Sequence, residues 1–329
     1  MEKQLVIVDC DAGIDDALAL ILLAGAHKLN KIQLLAVTCV NGNTIVENVV
    51  NNVFRTLQTC GLADIPVYKG AHSPLLSTEN ARISATEQFH GPDGFGNMFK
   101  DKVDVSKLQK EHAVHALYRM VCKNPGEVSI ACIGPLTNIA LAIRLYPDFI
   151  SKVKAFYVMG GNYTAQGNIT AQAEFNFYSD PESVHIFLAN SIKPYVLLPW
   201  ETCIKCAMDP KWHHHVFGKI NTPEVQMMST LYQFYLNSNK ESAIYTPCDE
   251  ILAAIVLRPD AATKLIEHHA DIELTGRRTR GQVVIDHLAS NKPNTNIVTE
   301  CNLEILKELL ILALDPENYE GDVCKINSM

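Results

Sequence analysis

The chain is 329 residues long, 47% hydrophobic and 19% charged, and its 28 Lys and Arg against 36 Asp and Glu leave a formal charge of -8. An acidic chain with no run of five or more like charges has no face for neutralising phosphates, which argues against nucleic acid or an anionic membrane as a partner. Small ligands are the default.

At ~150 residues per domain the length admits two domains, but α/β folds often hold such a length around one core, and no linker or repeat divides the chain. One domain over residues 1–329 is expected. The apolar run Leu5–Val8 stops at Asp9, too short for a signal-peptide core. Ala17–Ala26, interrupted by Gly25, falls short of the ~20 residues of a membrane span. Ten cysteines are scattered through the chain and read as reduced thiols of a cytoplasmic protein.

In chain order, short β-branched runs at Leu5–Val8, Ile32–Thr38, Ile65–Tyr68, Val128–Ile133, Val153–Met159 and Tyr195–Leu198 read as strands. Helical patterns fall between them at Asp15–Ala26, Thr44–Cys60, Glu111–Lys123, Thr137–Tyr146 and Pro181–Ala189. This alternation predicts an α/β fold, a mainly parallel sheet with helices on both faces and ligands at the carboxyl ends of the strands. Gly70–Asn97 and Gly160–Asn176 are loop-rich, and long loops in compact domains often carry function. Thr222–Leu236, with Met227, Met228, Tyr232 and Tyr235, is either a cover over a site or an amphipathic helix on the core, and its spacing favours the core. Ile251–Leu257 is a further apolar helix.

Asp9, Asp11, Asp15 and Asp16 crowd the end of the first strand and the start of its helix. One or two carboxylates there would cap backbone donors. Four would repel one another unless a cation sat among them, and oxygen-only ligands suit Ca²⁺ or Mg²⁺. A phosphatase shares the bare Asp9-Cys10-Asp11 spacing but does not predict Asp15 and Asp16. Gly91, Gly94 and Gly96 lack dinucleotide-binding spacing.

A second cluster joins Asn168, Glu174 and Asn176. On an extended backbone Glu174 and Asn176 point to one side, where an acid among amides would hold sugar hydroxyls. A turn or a helix cap before Pro181 explains the segment equally well. Thr246-Pro-Cys248-Asp249-Glu250 precedes the late apolar helix, where Asp249 is a cap or a ligand. Cys203 with Cys206, and His213 with His214 and His215, lack the partners or geometry of a metal site and read as packing and surface.

Together these residues resemble the inosine-uridine-preferring nucleoside hydrolase family. The matches are Asp9–Asp16 (DCDAGIDD), Asn41–Asn43 (NGN), His90–Gly94 (HGPDG), Ile133–Asn138 (IGPLTN), Met159–Gly161, Asn168–Asn176, Asp180–Glu182, Cys248-Asp249 and Thr279–Gln282, in the family's order. The resemblance implies a Rossmann-like fold with a mixed sheet, bound Ca²⁺, a homodimer or homotetramer, and hydrolysis of ribonucleosides to ribose and base. Carried over by position, it makes Asp11, Asp16, Asp249 and the carbonyl of Ile133 the metal ligands, with Asp11 also taking a proton from the attacking water. Asp15, Asn43, Asn168, Glu174 and Asn176 would surround the ribose, Met159 would lie beneath it, and His90 would face the base.

Cys248 stands where members acting on pyrimidine or mixed nucleosides typically have histidine and a purine-specific group has tryptophan. A thiol of pKa ~8.5 is a weaker acid than imidazolium, so base preference does not transfer. Cys248 becomes the candidate donor to the leaving base, with Tyr235 and Tyr245 as further candidates. The other function class is a catalytically weak nucleoside or ribose binder.

Overall fold

The computed structural model describes residues 3–76, 89–192, 194–238, 245–317 and 319. The six expected strands are present as β1 (Gln4–Cys10), β2 (Ile32–Cys39), β3 (Val67–Lys69), β4 (Val128–Cys132), β5 (Ala155–Met159) and β6 (Tyr195–Leu198). They lie in the order β3-β2-β1-β4-β5-β6, every neighbouring pair parallel. Chain direction across the sheet therefore reverses between β1 and β4, the place where open α/β sheets leave a crevice at the strands' carboxyl ends.

The sheet continues past β6 into strands absent from the expected set: β10 (Thr295–Cys301), parallel to β6, and β7 (Ala262–His268), antiparallel at the edge. The sheet is thus mainly parallel and mixed, as expected. A separate antiparallel ribbon joins β8 (Ala270–Ile272) to β9 (Val283–Ile285).

Strand residues alternate between two apolar layers, as a pleated strand requires. Val6, Val8 and Cys10 face α1 (Ile14–Lys28), α2 (Val46–Thr59), α10 (Pro223–Ser238), α11 (Asp249–Leu257) and α12 (Leu303–Leu314). Ile7 faces α3 (Ala113–Lys123), α4 (Thr137–Leu145), α5 (Phe149–Lys152) and α7 (Pro181–Asn190). Short helices α6 (Phe175–Ser179), α8 (Trp200–Lys205) and α9 (Pro210–His215) follow β5 and β6.

Helix α1 is buried almost all round and packs against α11 and α12. That is why its sequence approached a membrane span in hydropathy. Among the described residues no helix is long and apolar enough to cross a membrane. Gly25 lets α1 and α12 touch, since a Cβ there would lie 2.4 Å from that of Ala313. Helix α2 begins at Val46, not at Thr44, because Ile45 is extended and the Thr44 hydroxyl donates to the Pro92 carbonyl at 2.8 Å. Val225, Met228 and Leu231 of α10 join the core, so this segment is a packed amphipathic helix.

Candidate active site

The loops after successive strands converge on one cavity of about 1100 Å³. Asn41, Gly42 and Asn43 follow β2, His72 follows β3, Ile133 follows β4, Met159 ends β5 and Trp200 follows β6. Asp15, His90, Asn168, Glu174, Asn176, Cys248 and Asp249 complete the expected lining, while Asp11 and Asp16 are wholly buried and do not line it. Among the described residues the lining contains neither Lys nor Arg.

The β1–α1 turn gathers the carboxylates. Ala12 takes a left-handed φ of 39°, a strained conformation of the kind that clusters at functional sites, and its carbonyl accepts from Asn52 Nδ2 at 3.0 Å. Asp16 caps the turn, accepting from Gly13 N at 2.8 Å, Asp11 N at 3.2 Å and Asn43 Nδ2 at 3.2 Å. Capping and site-building therefore coincide in one side chain. Carboxylate oxygens of Asp15, Asp16 and Asp249 lie within 4.8 Å of one another. This tightest set includes Asp15, which the family pattern places at the sugar, and omits Asp11.

Asp11 lies against the set. Asn43 N donates to its Oδ2 at 2.7 Å, whereas its buried Oδ1 has no hydrogen-bond partner among the described residues. Gly42 and Gly134 allow the backbone to close on this carboxyl, since Cβ atoms there would come within 2.0 and 2.9 Å of its oxygens. Burial first, and neighbouring carboxylates second, push Asp11 and Asp249 well above the usual carboxylate range and Asp16 up to about 7. A cation among these groups would remove that penalty and occupy the orphaned Oδ1. The all-oxygen donor set fits a hard divalent ion.

Of the two readings of the Glu174–Asn176 segment, the helix cap is the one found: Glu174 is the N-cap of α6, itself extended, and Asn176 lies in the first turn. Five residues are too few for a helical periodicity to show in sequence. Both side chains nevertheless line the cavity. Glu174 accepts from Gly161 N at 2.6 Å, Asn176 N at 2.8 Å and Phe177 N at 3.1 Å, and burial raises its pKa to about 7. Asn176 Nδ2 donates to the Ile133 and Met159 carbonyls at 3.2 and 3.3 Å, and Asn168 Oδ1 accepts from Phe175 N at 2.8 Å.

His90 Nδ1 accepts from Ile14 N at 3.1 Å while Nε2 faces Asp15 Oδ1 at 3.6 Å. Burial lowers its pKa against the pull of Asp15. Cys248 presents a neutral thiol, raised by contact with the Cys203 thiol and by burial, with Sγ 3.8 Å from the Thr246 carbonyl. Tyr235 and Tyr245 are buried and do not line the cavity. Cys203 and Cys206 are buried free thiols, and His214 and His215 are exposed.

His72, Phe89, Thr246 and Trp200 line the cavity without having been expected there. Applying the rule of post-strand loops to β3 and β6 would have found His72 and Trp200.

Residues 6–308 match the profile of the family described as "Inosine-uridine preferring nucleoside hydrolase". The protein of that name from Crithidia fasciculata is 31% identical over 322 residues, covering 94% of this chain and 97% of its own. A pyrimidine-specific ribonucleoside hydrolase, RihA, from Escherichia coli is 29% identical, with 93% and 96% covered. The solved structure of an inosine-guanosine nucleoside hydrolase superposes with a TM-score of 0.85 at 26% identity, covering 94% of this chain and 98% of that one. Profile, relatives and fold agree with the carboxylate-floored cavity: the chain belongs to the inosine-uridine preferring nucleoside hydrolase family and is a ribonucleoside hydrolase.

Proposed function

We propose that the cavity binds a ribonucleoside with its ribose over the carboxylate floor and that cleavage of the N-glycosidic bond there depends on Ca²⁺. The observation that carries this reading is the meeting of Asp15 and Asp16 with Asp249, from opposite ends of the chain, beside the unpartnered Oδ1 of Asp11. Asp11, Asp16, Asp249 and the Ile133 carbonyl would hold the ion, with Asp15 shared between ion and sugar. When bound, calcium would supply the charge that keeps the carboxylates ionised, a Lewis acid for a water, and an attraction for the ribose 2′- and 3′-hydroxyls.

The chain's own residues do the rest. Asp11, placed beside the ion it would help to hold, accepts a proton from the attacking water. Glycosidic cleavage develops oxocarbenium character, and the Glu174 carboxylate stabilises the positive charge growing on the sugar. Asn168 spends Oδ1 on Phe175 N and offers its amide hydrogens to a hydroxyl, whereas Asn176, whose amide hydrogens go to the Ile133 and Met159 carbonyls, offers its Oδ1 as an acceptor, and Asn43 keeps one amide hydrogen beyond its bond to Asp16. Met159 underlies the ring as an apolar floor, with His90 toward the base. Cys248 donates weakly to the departing base.

The test is ribose release from a panel of ribonucleosides by protein stripped of metal and then resupplied with calcium. Hydrolysis of at least one ribonucleoside, restored by calcium and far slower on 2′-deoxyribonucleosides, is expected. Equal rates with and without calcium, or equal rates on deoxyribonucleosides, would overturn the calcium-diol arrangement.

A further inference from the structure

Glu250 is wholly buried on the first turn of α11, next to Asp249, and none of the chemistry above uses it. It does not line the cavity. Its two oxygens are divided between two donors: Tyr245 Oη donates to Oε1 at 2.5 Å, and Cys248 N donates to Oε2 at 3.1 Å. One carboxyl group therefore spans the segment from Tyr245 to Cys248, gripping a side chain at its start and the backbone at its end. That segment places Thr246 and Cys248 on the cavity wall and delivers the chain to Asp249.

The grip is anchored from outside the site. The Tyr245 carbonyl accepts from Met208 N at 2.8 Å, and its ring meets those of Tyr232 and Tyr235 edge-on, each at 5.8 Å. At the other end Cys248 has φ -125° and ψ -72°, off the regular helical values, so the helix it precedes does not set its conformation. An aliphatic side chain would fill the same volume without the cost of burying a carboxyl group. What an aliphatic could not do is hold the Tyr245 hydroxyl and the Cys248 N–H at once.

We propose that Glu250 is a positioning residue: through Tyr245 and Cys248 it fixes Asp249 and the Cys248 thiol relative to the carboxylates of the β1–α1 turn. The catalytic consequence rests on the function proposed above; the consequence for metal affinity stands without it.

Glu250→Gln keeps the shape but replaces one acceptor with an amide that cannot accept, and Tyr245→Phe removes one donor while keeping the ring. Calcium would be titrated calorimetrically onto each metal-depleted, folded protein, and kcat and KM measured on a hydrolysed ribonucleoside and on p-nitrophenyl riboside. Glu250→Gln is expected to weaken calcium binding about 10- to 100-fold, the usual effect of removing a partner behind a metal ligand. It should lower kcat similarly on both substrates, with KM much less affected, and excess calcium should restore part of the rate. Tyr245→Phe should move the same quantities in the same direction by roughly 2- to 10-fold, the worth of one hydrogen bond.

A folded Glu250→Gln protein with unchanged calcium affinity and kcat would overturn the proposal. So would a loss confined to the nucleoside, which would make Glu250 part of proton delivery to the base. Should Glu250→Gln fail to fold, Tyr245→Phe decides by the same measurements. Calcium binding without ribose release by the unaltered protein would refute the proposed function and leave the calcium titrations to decide on Glu250.

Discussion

Asp16 and Glu174 both hold protons far above the range of solvated carboxyl groups, burial raising them from 3.8 and 4.5 to about 7. A carboxyl whose pKa is higher in the folded chain binds protons that the unfolded chain has released. Its contribution to stability is therefore present below the unfolded value and is lost as pH rises through about 7. Thermal unfolding in chelator should show the midpoint falling as pH climbs across that window. Calcium should flatten the slope, because the cation favours the ionised form, and binding should release protons. A midpoint that rose with pH in chelator would show that burial does not govern these groups. At this scale the aspartate crowding was legible in sequence because charge density needs no fold to be read. The double duty of Glu174 was not: a cap and a wall residue looked like rival readings, yet one carboxyl group has oxygens enough for three backbone donors and still faces the cavity.

Among the elements, the loop between β5 and α6 depends on a carboxylate outside it. Glu201, on the first turn of α8 and 4% exposed, accepts from Tyr163 N at 3.1 Å, Thr164 N at 2.7 Å, Thr164 Oγ1 at 2.8 Å and Gln166 N at 3.3 Å. It thereby pins the loop that carries Asn168 and leads into Glu174. Glu201→Ala leaves those donors without their acceptor and should cost about 1–3 kcal/mol, read by denaturant unfolding. It should also raise KM for the nucleoside more than it lowers kcat, and an unchanged KM would sever the link between this anchor and the sugar wall. The early strands and helices were legible because β-branched runs and helical spacing alternate cleanly from Leu5 to Leu198. Beyond Leu257 that rhythm fails. Strand β7 is an edge carrying Lys264 and Glu267, so it reads as polar, and β8 and β9 are only three residues each.

Across the whole molecule, the first and last helices are joined at the core, for α1 packs between α11 and α12. Gly25→Val would drive methyl groups into Ala313, where even a single Cβ lies 2.4 Å away. Overpacking of this kind typically costs about 1–3 kcal/mol, measurable by chemical denaturation. Activity per folded molecule should persist, because Gly25 does not line the cavity. The convergence of Asp16 and Asp249 was legible only through family likeness. Local patterns say where a chain turns, and only the reversal of strand order between β1 and β4 says which turns share a crevice.

Among the described residues the cavity lining carries Asp15, Glu174 and Asp249 and neither Lys nor Arg, a wall that favours cations over anions. A divalent cation would offset two of the four carboxylate charges of Asp11, Asp15, Asp16 and Asp249 and leave the floor negative. A 5′-phosphate brings about -1.5 to -2 further charge at neutral pH and would meet no Lys or Arg among the described residues of that wall. A nucleoside 5′-phosphate is therefore expected to release ribose far more slowly than its parent nucleoside, and equal ribose release from the two would show that this wall does not sort them by charge.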